Sequence, residues 1–301
     1  MAVGTLMQSG TIKRRRATGA DWCSVIKLPI SLMNAAAAGA GYVILRPVID
    51  LAAVTVTVSV FLLASGASAL NSYQDRDVDR RYGRTCRRPL PRALIIPSQV
   101  RAAALSLIVM GVLGLLCLHS RWPALLGLAA VILYNGVYTP LKSRTALAVI
   151  PGALCGMMPP LIGWVAAGGS HCLLTIMVVM AMLGLWQLPH FWLLVLANRR
   201  DYDGGVLPHM LDFFSQRQLE GIIFVWIASF VCMTLLFPVV QGSTNLVTAV
   251  SLAVHFVILL ALVAGAFCSH WRDRASPLLF RVLNLSMAVV LIVIIADSLF
   301  T

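Results

Sequence analysis

Residues 51–91 read LAAVTVTVSVFLLASGASALNSYQDRDVDRRYGRTCRRPLP, an apolar segment followed directly by a dense group of charges. Residues 51–70 contain no charged side chain and form an apolar segment of the length that crosses a bilayer as a helix, about 20 residues. Three of the chain's 11 acidic residues and six arginines follow directly, within residues 71–91. So dense a group of charges beside a membrane-spanning segment indicates a polar site at the membrane surface.

The composition excludes an ordinary soluble protein. Of the 301 residues, 59% are hydrophobic and only 11% are charged, whereas charged residues make up about 25% of soluble domains. The net charge of +12 is spread over short tracts between apolar segments, which argues against a nucleic-acid partner. The seven cysteines form no C-x-x-C or C-x-x-C-H motif, so they are expected to be reduced, packed thiols. The predicted fold class is all-α, a polytopic membrane helical bundle.

Apolar segments long enough to span the membrane occur nine times in the sequence. They lie near residues 25–45, 51–71, 101–119, 122–140, 146–167, 172–196, 219–240, 246–267 and 279–300.

The distribution of basic residues predicts the orientation of these helices, because cytoplasmic loops are enriched in lysine and arginine. With the N-terminus inside, all of the 23 basic residues except Arg46 and Arg121 fall on the cytoplasmic side. We therefore expect a cytoplasmic basic tail over residues 1–24 and one transmembrane domain over residues 25–301, in the inner membrane of a bacterium. No signal peptide is recognised, and a mitochondrial presequence, which would place the chain in the mitochondrial inner membrane, remains the less favoured alternative.

The aspartates after residue 70 are spaced for one helical face. If the preceding helix continues, Asn71, Asp75 and Asp79 stand at i, i+4 and i+8, while Asp77 points elsewhere. Such an oxygen surface suits Mg²⁺, which binds through a few carboxylates plus substrate phosphates. The arginines that follow supply planar donors for phosphate. The pattern predicts a diphosphate site that holds Mg²⁺.

This stretch has two other interpretations. An EF-hand is disfavoured because Arg80 stands where its loop needs glycine and Cys86 where it needs glutamate. The arginines could also be an ordinary cytoplasmic loop neutralised by the aspartates. That second interpretation leaves the shared helical face unexplained.

A second polar group lies in the sixth apolar segment, where residues 186–192 read WQLPHFW. Gln187 and His190 are about one helical turn apart and are expected to face the bundle interior, beside the backbone carbonyl freed by Pro189. A neutral histidine bonded to another helix is the alternative. His255 and Asn284 are likewise predicted to form hydrogen bonds between helices.

Four further side chains are placed on the same cytoplasmic surface by the predicted topology. Tyr138 and Lys142 end the fourth helix, where lysine could bind phosphate or snorkel to the interface. Asp201 and Asp203 begin the loop after the sixth helix. They could pair with Asp75 and Asp79 to hold a second Mg²⁺, or simply balance nearby arginines.

Six blocks in this order resemble a known family. They are ALNSYQDRDVD from residue 69, RTCRRPLP from 84, YTPLK from 138, PGALCGMMPPLIGW from 151, WQLPHF from 186 and the Asp-Tyr pair at 201. Together they are similar to the protohaem IX farnesyltransferases, or haem O synthases, among the UbiA-type intramembrane prenyltransferases. The match covers about residues 25–210, and several blocks together are more specific than any one.

The resemblance implies transfer of a farnesyl group from farnesyl diphosphate to a vinyl group of protohaem IX, with Mg²⁺ as the cofactor and the lipid bilayer as the surroundings. It implies catalytic roles for Asn71, Asp75, Asp79, Arg84, Arg88 and His190, the first three as metal ligands. The expected substrate-binding residues are Tyr138, Lys142, Gln187, Asp201 and Tyr202. Whether haem A synthase or a cytochrome oxidase assembly protein is a partner is left open.

The sequence departs from the family pattern in two places. After Asp201-Tyr202 the chain reads DGGVLPHM, and at Lys27 it reads KLPI where the family has K-P-R, so a basic contact is expected to be missing. Two other functions stay open. One is a UbiA-type prenyltransferase acting on an aromatic quinone precursor, and the other is an anion transporter.

Overall fold

The structure is a computed structural model that describes residues 17–170, 173–203, 207–242, 245–268 and 272–300. No strand occurs in these ranges. The α-helices are α1 Gly19–Val25, α2 Leu28–Leu45, α3 Leu51–Gln74, α4 Arg76–Asp79, α5 Pro97–Leu116, α6 Trp122–Val131, α7 Thr139–Leu141, α8 Val149–Ala166, α9 Leu174–Ala197, α10 Arg199–Asp203, α11 Gln216–Gln241, α12 Leu246–Cys268 and α13 Arg272–Phe300. A π-helix at Ile132–Tyr138 joins α6 to α7, and short 3₁₀ turns occur at Ala146–Ala148 and Met210–Asp212.

The predicted number of membrane spans is confirmed within the described ranges. Nine helical stretches are long and apolar enough to cross a bilayer, and the fourth runs without a break from α6 through the π-helix to Leu141. The third span begins at Pro97, four residues before the predicted start, because proline is well suited to the first turn of a helix. The chain is thus a multi-pass membrane protein.

The first half of the bundle is built on close backbone contacts. A Cβ atom at Gly41 of α2 would collide with the backbone carbonyl of Pro160 in α8, and one at Gly163 of α8 would collide with that of Ala38 in α2. Small residues of this kind let membrane helices approach each other. The second half instead packs large side chains of α9, α11, α12 and α13 into one apolar core, which includes Leu193 and Phe230.

One end of the bundle collects the polar side chains. The C-terminal end of α3 meets the end of the fourth span, where Lys142 forms an ion pair with Asp75. The loop after α4 contacts α10, where the backbone amide of Arg84 donates to Asp201. The topology predicted that Asp75, Lys142 and Asp201 share one surface, and these contacts agree with it.

The N-terminal helix α1 lies across the predicted boundary at residue 25. Val25 packs against Ala69 and Leu90, and its carbonyl accepts a hydrogen bond from Ser72 Oγ at 3.0 Å. Helix α1 is therefore attached to the bundle. The division into a tail and a domain stays a prediction, since residues 1–16 lie outside the described ranges.

Candidate active site

The end of α3 carries the predicted Asn/Asp motif. The amide of Asp75 donates to the carbonyl of Asn71 at 2.9 Å, and the amide of Asp79 donates to that of Asp75 at 2.7 Å. The helical i to i+4 pattern thus continues past Gln74, the last residue of α3. Asn71, Asp75 and Asp79 are buried, whereas the side chain of Asp77 is 61% exposed. The shared face expected from the spacing exists, and Asp77 lies off it.

Both buried carboxylates form ion pairs with cations from other segments. Lys142 pairs with Asp75. Arg88 Nη1 donates to both oxygens of Asp79, at 2.9 and 3.2 Å. Burial lowers the pKa of Lys142, and the charge of Asp75 opposes that shift. Because a buried carboxylate is costly without a partner, these cations stabilise the acidic oxygens, and Lys142 does not snorkel away from the site.

Lys27 is a site residue that the sequence analysis missed. Lys27 Nζ donates to Asn71 Oδ1 at 2.5 Å, so the lysine retained from the family's K-P-R belongs to the site. The expected loss of a basic contact concerns the arginine of that motif, which this chain lacks, and it stays a prediction. The residue adopts a left-handed conformation, with φ of 49°, directly before α2, and this turn aims its side chain at α3. Burial and repulsion by Arg88 lower its pKa to about 8. The matching family lysine was the available signal, but the contact depends on a backbone turn that spacing does not reveal.

The π-helix at Ile132–Tyr138 locks onto α3. Asn135 Nδ2 donates to Gln74 Oε1 at 3.1 Å, and Gln74 Nε2 donates back to the Asn135 carbonyl at 3.0 Å. Asn71 Nδ2 donates to Thr139 Oγ1 at 3.0 Å, so its carbonyl oxygen is left to face Lys27. Single π turns within helices often occur at functional sites. Here the π turn bonds to Gln74, and Thr139, which directly follows the π turn, accepts from the first residue of the Asn/Asp motif.

A row of aromatic rings begins at the polar cluster that Asn71, Asp75 and Asp79 form with Lys27, Arg88 and Lys142. The rings of Tyr134 and Tyr138 stack with centroids 5.3 Å apart, and Phe191 of α9 lies 6.1 Å from Tyr138. Lys27 Nζ donates to the Tyr134 hydroxyl at 3.3 Å, and Lys142 Nζ lies 5.7 Å from the Tyr138 centroid. The row therefore links the cations of the polar cluster to α9.

The loop after α4 and the start of α10 dock on each other. Arg84 donates its backbone amide to Asp201 Oδ2 at 2.8 Å. A Cβ atom at Gly83 would lie 2.8 Å from Asp201 Oδ1, which is too close for any other residue without a shift. The rings of Tyr82 and Tyr202 are 5.7 Å apart, and burial raises the pKa of Tyr202 while Arg84 opposes this. Asp201 thus holds the loop after α4, which carries Arg84, against α10.

The alternative role of Asp201 in a second metal site gains no support from this geometry. No group of three or more histidine, cysteine or acidic side chains suited to a metal occurs among the described residues. The side chain of Asp203 lies outside that part of the chain. The hypothesis that Asp201 and Asp203 hold a second Mg²⁺ therefore stays a prediction.

His190 faces the bundle interior, as predicted. Its Nδ1 lies 2.7 Å from Oδ1 of Asn284 in α13. Three aromatic rings surround the imidazole, Trp186 at 5.0 Å, Phe280 at 4.8 Å and Phe191 at 5.8 Å between centroids. Because Phe191 also contacts Tyr138, the aromatic row connects His190 to the polar cluster.

Gln187 lies on α9 close to α8. A Cβ atom at Gly156 would collide with the amide of Gln187, so the glycine makes room for this side chain. The predicted hydrogen bonds between helices are present, since Asn284 contacts His190 and His255 Nε2 lies 2.5 Å from Ser286 Oγ. The role of Asn284 beside His190 had no signal in the spacing, because the two residues are 94 positions apart.

The residues at the end of α3 fit a hard divalent cation. Asn71, Asp75 and Asp79 offer one amide oxygen and two carboxylates, all buried, and each is now occupied by a cationic partner. Mg²⁺ uses one or two carboxylates and takes its remaining ligands from water and phosphate. The donor set is therefore suited to a metal bound together with a phosphate, rather than to a closed protein site.

Comparison with known sequences yields relatives along most of the chain. A sequence profile of the UbiA prenyltransferase family matches residues 28–289. The protoheme IX farnesyltransferase of Nitratidesulfovibrio vulgaris (strain DP4) is 34% identical, over 86% of this chain and 92% of the relative. The enzyme of that name from Geobacter sulfurreducens is 35% identical, over 69% and 77% respectively. That from Aeropyrum pernix is 32% identical, over 79% and 78%.

Solved structures share the fold at low sequence identity. A structure of digeranylgeranylglyceryl phosphate synthase superposes with a TM-score of 0.74 at 14% identity, covering 94% of this chain and 99% of the other. A UbiA homologue from Archaeoglobus fulgidus bound to DMAPP and Mg²⁺ gives 0.69 at 15% identity, covering 93% and 100%. The profile match and the close relatives together place this chain in the UbiA prenyltransferase family.

Proposed function

We propose that this chain transfers the farnesyl group of farnesyl diphosphate to a vinyl group of protohaem IX, forming haem O. The observation that carries the proposal is the end of α3, where two buried aspartates and Asn71 meet cations from three other segments. The relatives named protoheme IX farnesyltransferase support the choice of acceptor.

Asn71, Asp75 and Asp79 are the residues that would hold Mg²⁺. A homologue of the same fold was solved with DMAPP and Mg²⁺ bound, and the oxygen donors here suit that ion. When bound, Mg²⁺ would neutralise charge that develops on the diphosphate as its bond to carbon breaks. We assign Arg84, Arg88 and Lys142 to the diphosphate oxygens, because guanidinium and ammonium groups bind phosphate.

The reaction is a substitution at carbon 1 of the farnesyl chain. The bond from this carbon to oxygen breaks, and diphosphate leaves with the electron pair. The π electrons of the haem vinyl group form the new carbon–carbon bond, water captures the cation left on the vinyl carbon, and a proton is released.

The aromatic row suits the apolar part of this reaction. Tyr138 contacts the rings of Tyr134 and Phe191, and Lys142 lies beside Tyr138. Aromatic faces attract cations, and an apolar wall excludes water until the new bond has formed. We assign Tyr138 and Gln187 to contacts with the farnesyl chain. Asp201 and Tyr202 would support the loop after α4 that carries Arg84 and Arg88. His190, farther along the row, is assigned to the haem side.

The proposed location is the bacterial inner membrane, with the N-terminus in the cytoplasm and the C-terminus outside. The supporting observation is that only Arg46 and Arg121 would lie on the outer side. The test uses a reporter enzyme that is active only outside the cytoplasm, fused in the loop at residues 168–171. We expect this fusion to be active. A cytoplasmic reporter at that point would overturn this topology.

The decisive assay uses the purified full-length chain with labelled farnesyl diphosphate, Mg²⁺ and ferrous protohaem IX. We expect a labelled haem product with the mass of haem O, lost on chelation and restored by Mg²⁺. Transfer to 4-hydroxybenzoate in place of haem would instead favour a quinone-precursor prenyltransferase. Uptake of anions into vesicles without prenyl transfer would favour a transporter.

A further inference from the structure

The contact between His190 and Asn284 fixes the hydrogen on the imidazole. Asn284 Nδ2 donates to the carbonyl of Phe280 at 2.7 Å, one turn earlier in α13. Its other amide atom, Oδ1, therefore faces His190 Nδ1 at 2.7 Å. A carbonyl oxygen can only accept a hydrogen bond, so Nδ1 of His190 must be the nitrogen that carries hydrogen.

The consequence lies at the other ring nitrogen. A neutral imidazole has one N–H group, so a hydrogen on Nδ1 leaves Nε2 with a free lone pair. Histidines that bind metals commonly hold this arrangement, with the second nitrogen donating to an oxygen that sets the tautomer and the ring orientation. The orientation is further held by Trp186, whose Nε1 donates to the carbonyl of Leu283 at 2.9 Å, directly beside Asn284.

The surroundings distinguish a ligand from a base. The described contacts of His190 are one amide and three aromatic rings, those of Trp186, Phe191 and Phe280. A proton taken up at Nε2 would create a charged imidazolium beside an amide instead of a carboxylate, within a membrane helix, where charge is costly. A lone pair donated to a metal leaves the ring formally neutral, and flat aromatic neighbours suit a porphyrin.

We propose that Asn284 is a positioning residue that holds His190 in the Nδ1–H tautomer, so that Nε2 serves as the axial ligand to the iron of the protohaem substrate. The inference rests on the proposed function and deepens it, because it names the group of the chain that recognises the acceptor. It also gives a function to the last span, α13, which lies beyond residues 25–210, the stretch that carries the family resemblance.

The structure offers a matched control in the neighbouring helix pair. His255 of α12 contacts Ser286 of α13, with Nε2 2.5 Å from Oγ. This is also a histidine bonded to a polar side chain of α13, two residues from Asn284. Ser286→Ala therefore removes a comparable contact between helices without touching His190.

The test measures ferric protohaem IX binding to the purified full-length chain by its absorption spectrum, next to haem O formation by the same preparations. Wild type and Ser286→Ala should show the same histidine-bound spectrum, and His190→Ala should lose it. Asn284→Leu should weaken haem binding about ten- to a hundredfold, the usual effect of losing such a supporting contact. Asn284→Asp keeps an acceptor and should restore binding. It should also lower the iron reduction potential, because a carboxylate makes the imidazole a stronger donor.

The outcomes separate the inference from the proposed function. A wild-type spectrum in His190→Ala, or unchanged haem affinity in Asn284→Leu, would overturn the inference even where wild type makes haem O. Should Asn284→Leu fail to accumulate, an unchanged reduction potential in Asn284→Asp would overturn it equally. A wild-type chain that neither binds haem nor forms haem O would overturn the proposed function, and the inference with it.

Discussion

An aspartate caps each end of α3, and the two have opposite effects on the stability of the helix. At the N-terminal end, Asp50 accepts a hydrogen bond from the Ala53 amide at 2.8 Å and another from the Tyr42 hydroxyl at 2.8 Å. It is the N-cap of the helix, where the helix dipole favours an anion. At the C-terminal end, Asp75 is 7% exposed and stands where the dipole disfavours an anion.

The difference separates a residue placed for the fold from one placed for a ligand. Asp50 improves the helix that it begins. Asp75 destabilises the helix that it ends. It needs Lys142 as a partner because a buried unpaired charge is destabilising. A carboxylate kept at such a position, together with Asp79 and Asn71, is explained by the metal and diphosphate that it would bind.

The largest effect should come from removing the carboxylates at the C-terminal end. Asp75→Ala or Asp79→Ala should lower kcat/KM about 10²- to 10³-fold or more, since each removes an oxygen that would hold the Mg²⁺ that neutralises charge developing on the diphosphate. Asp77→Ala should cost no more than about fivefold, because its exposed ion pairs with Arg76 and Arg80 contribute little. Steady-state assays on membranes with equal amounts of each variant check this order.

Stability must be separated from activity in this experiment. Asp75→Ala leaves Lys142 buried without its partner, so the double variant Asp75→Ala/Lys142→Met should recover thermal stability and remain inactive. Equal activity loss in all three single aspartate variants would show that the helical face does not define the site.

The next largest effect should distinguish Arg84 from Arg88, two of the three arginines of the RTCRRP block. Arg88 holds Asp79 through two hydrogen bonds, so Arg88→Lys should lower kcat/KM about ten- to a hundredfold, as expected for lost charge-assisted hydrogen bonds. Arg84 is anchored through its backbone amide, which the substitution keeps, so Arg84→Lys should impair turnover less. Full activity of both lysine variants would show that Arg84 and Arg88 serve the membrane topology alone.

How much of this site the sequence could predict depends on distance along the chain. The spans follow from hydrophobic length, and the face of Asn71, Asp75 and Asp79 follows from the helical repeat, which the structure continues past the end of α3. Both are local properties. Lys27 and Asn71 are 44 positions apart, and their contact depends on a left-handed residue and a helix crossing that no spacing encodes.

A smaller effect is expected at Lys27, which precedes α2, and Arg46, which follows α2, provides the control. Lys27→Met removes the cation that touches Asn71 and Tyr134, so the KM for farnesyl diphosphate should rise about tenfold. Arg46, which follows the last residue of α2, lies beside Asp50 at 3.8 Å, and Arg46→Met should leave KM unchanged. A similar KM in both variants would remove Lys27 from the site.

The smallest effect on activity is expected at Asp50, and it completes the contrast between the two ends of α3. Asp50→Ala should leave kcat/KM unchanged but lower the thermal unfolding temperature by a few degrees, because the N-cap and the partner of Tyr42 are lost.

The Ala53 amide and the Tyr42 hydroxyl lower the pKa of Asp50. A carboxylate with a lowered pKa stabilises the fold above its unfolded-state pKa of about 3.9, and this contribution is lost as the pH falls through the folded value. The gap in unfolding temperature between wild type and Asp50→Ala should therefore be full at pH 7 and shrink in acid. Thermal unfolding of both chains in detergent, at pH 7 and at an acidic pH, measures this gap. Asp50→Asn is the control that keeps a capping side chain. An Asp50→Ala chain of normal stability and reduced turnover would show that both ends of α3 serve the reaction.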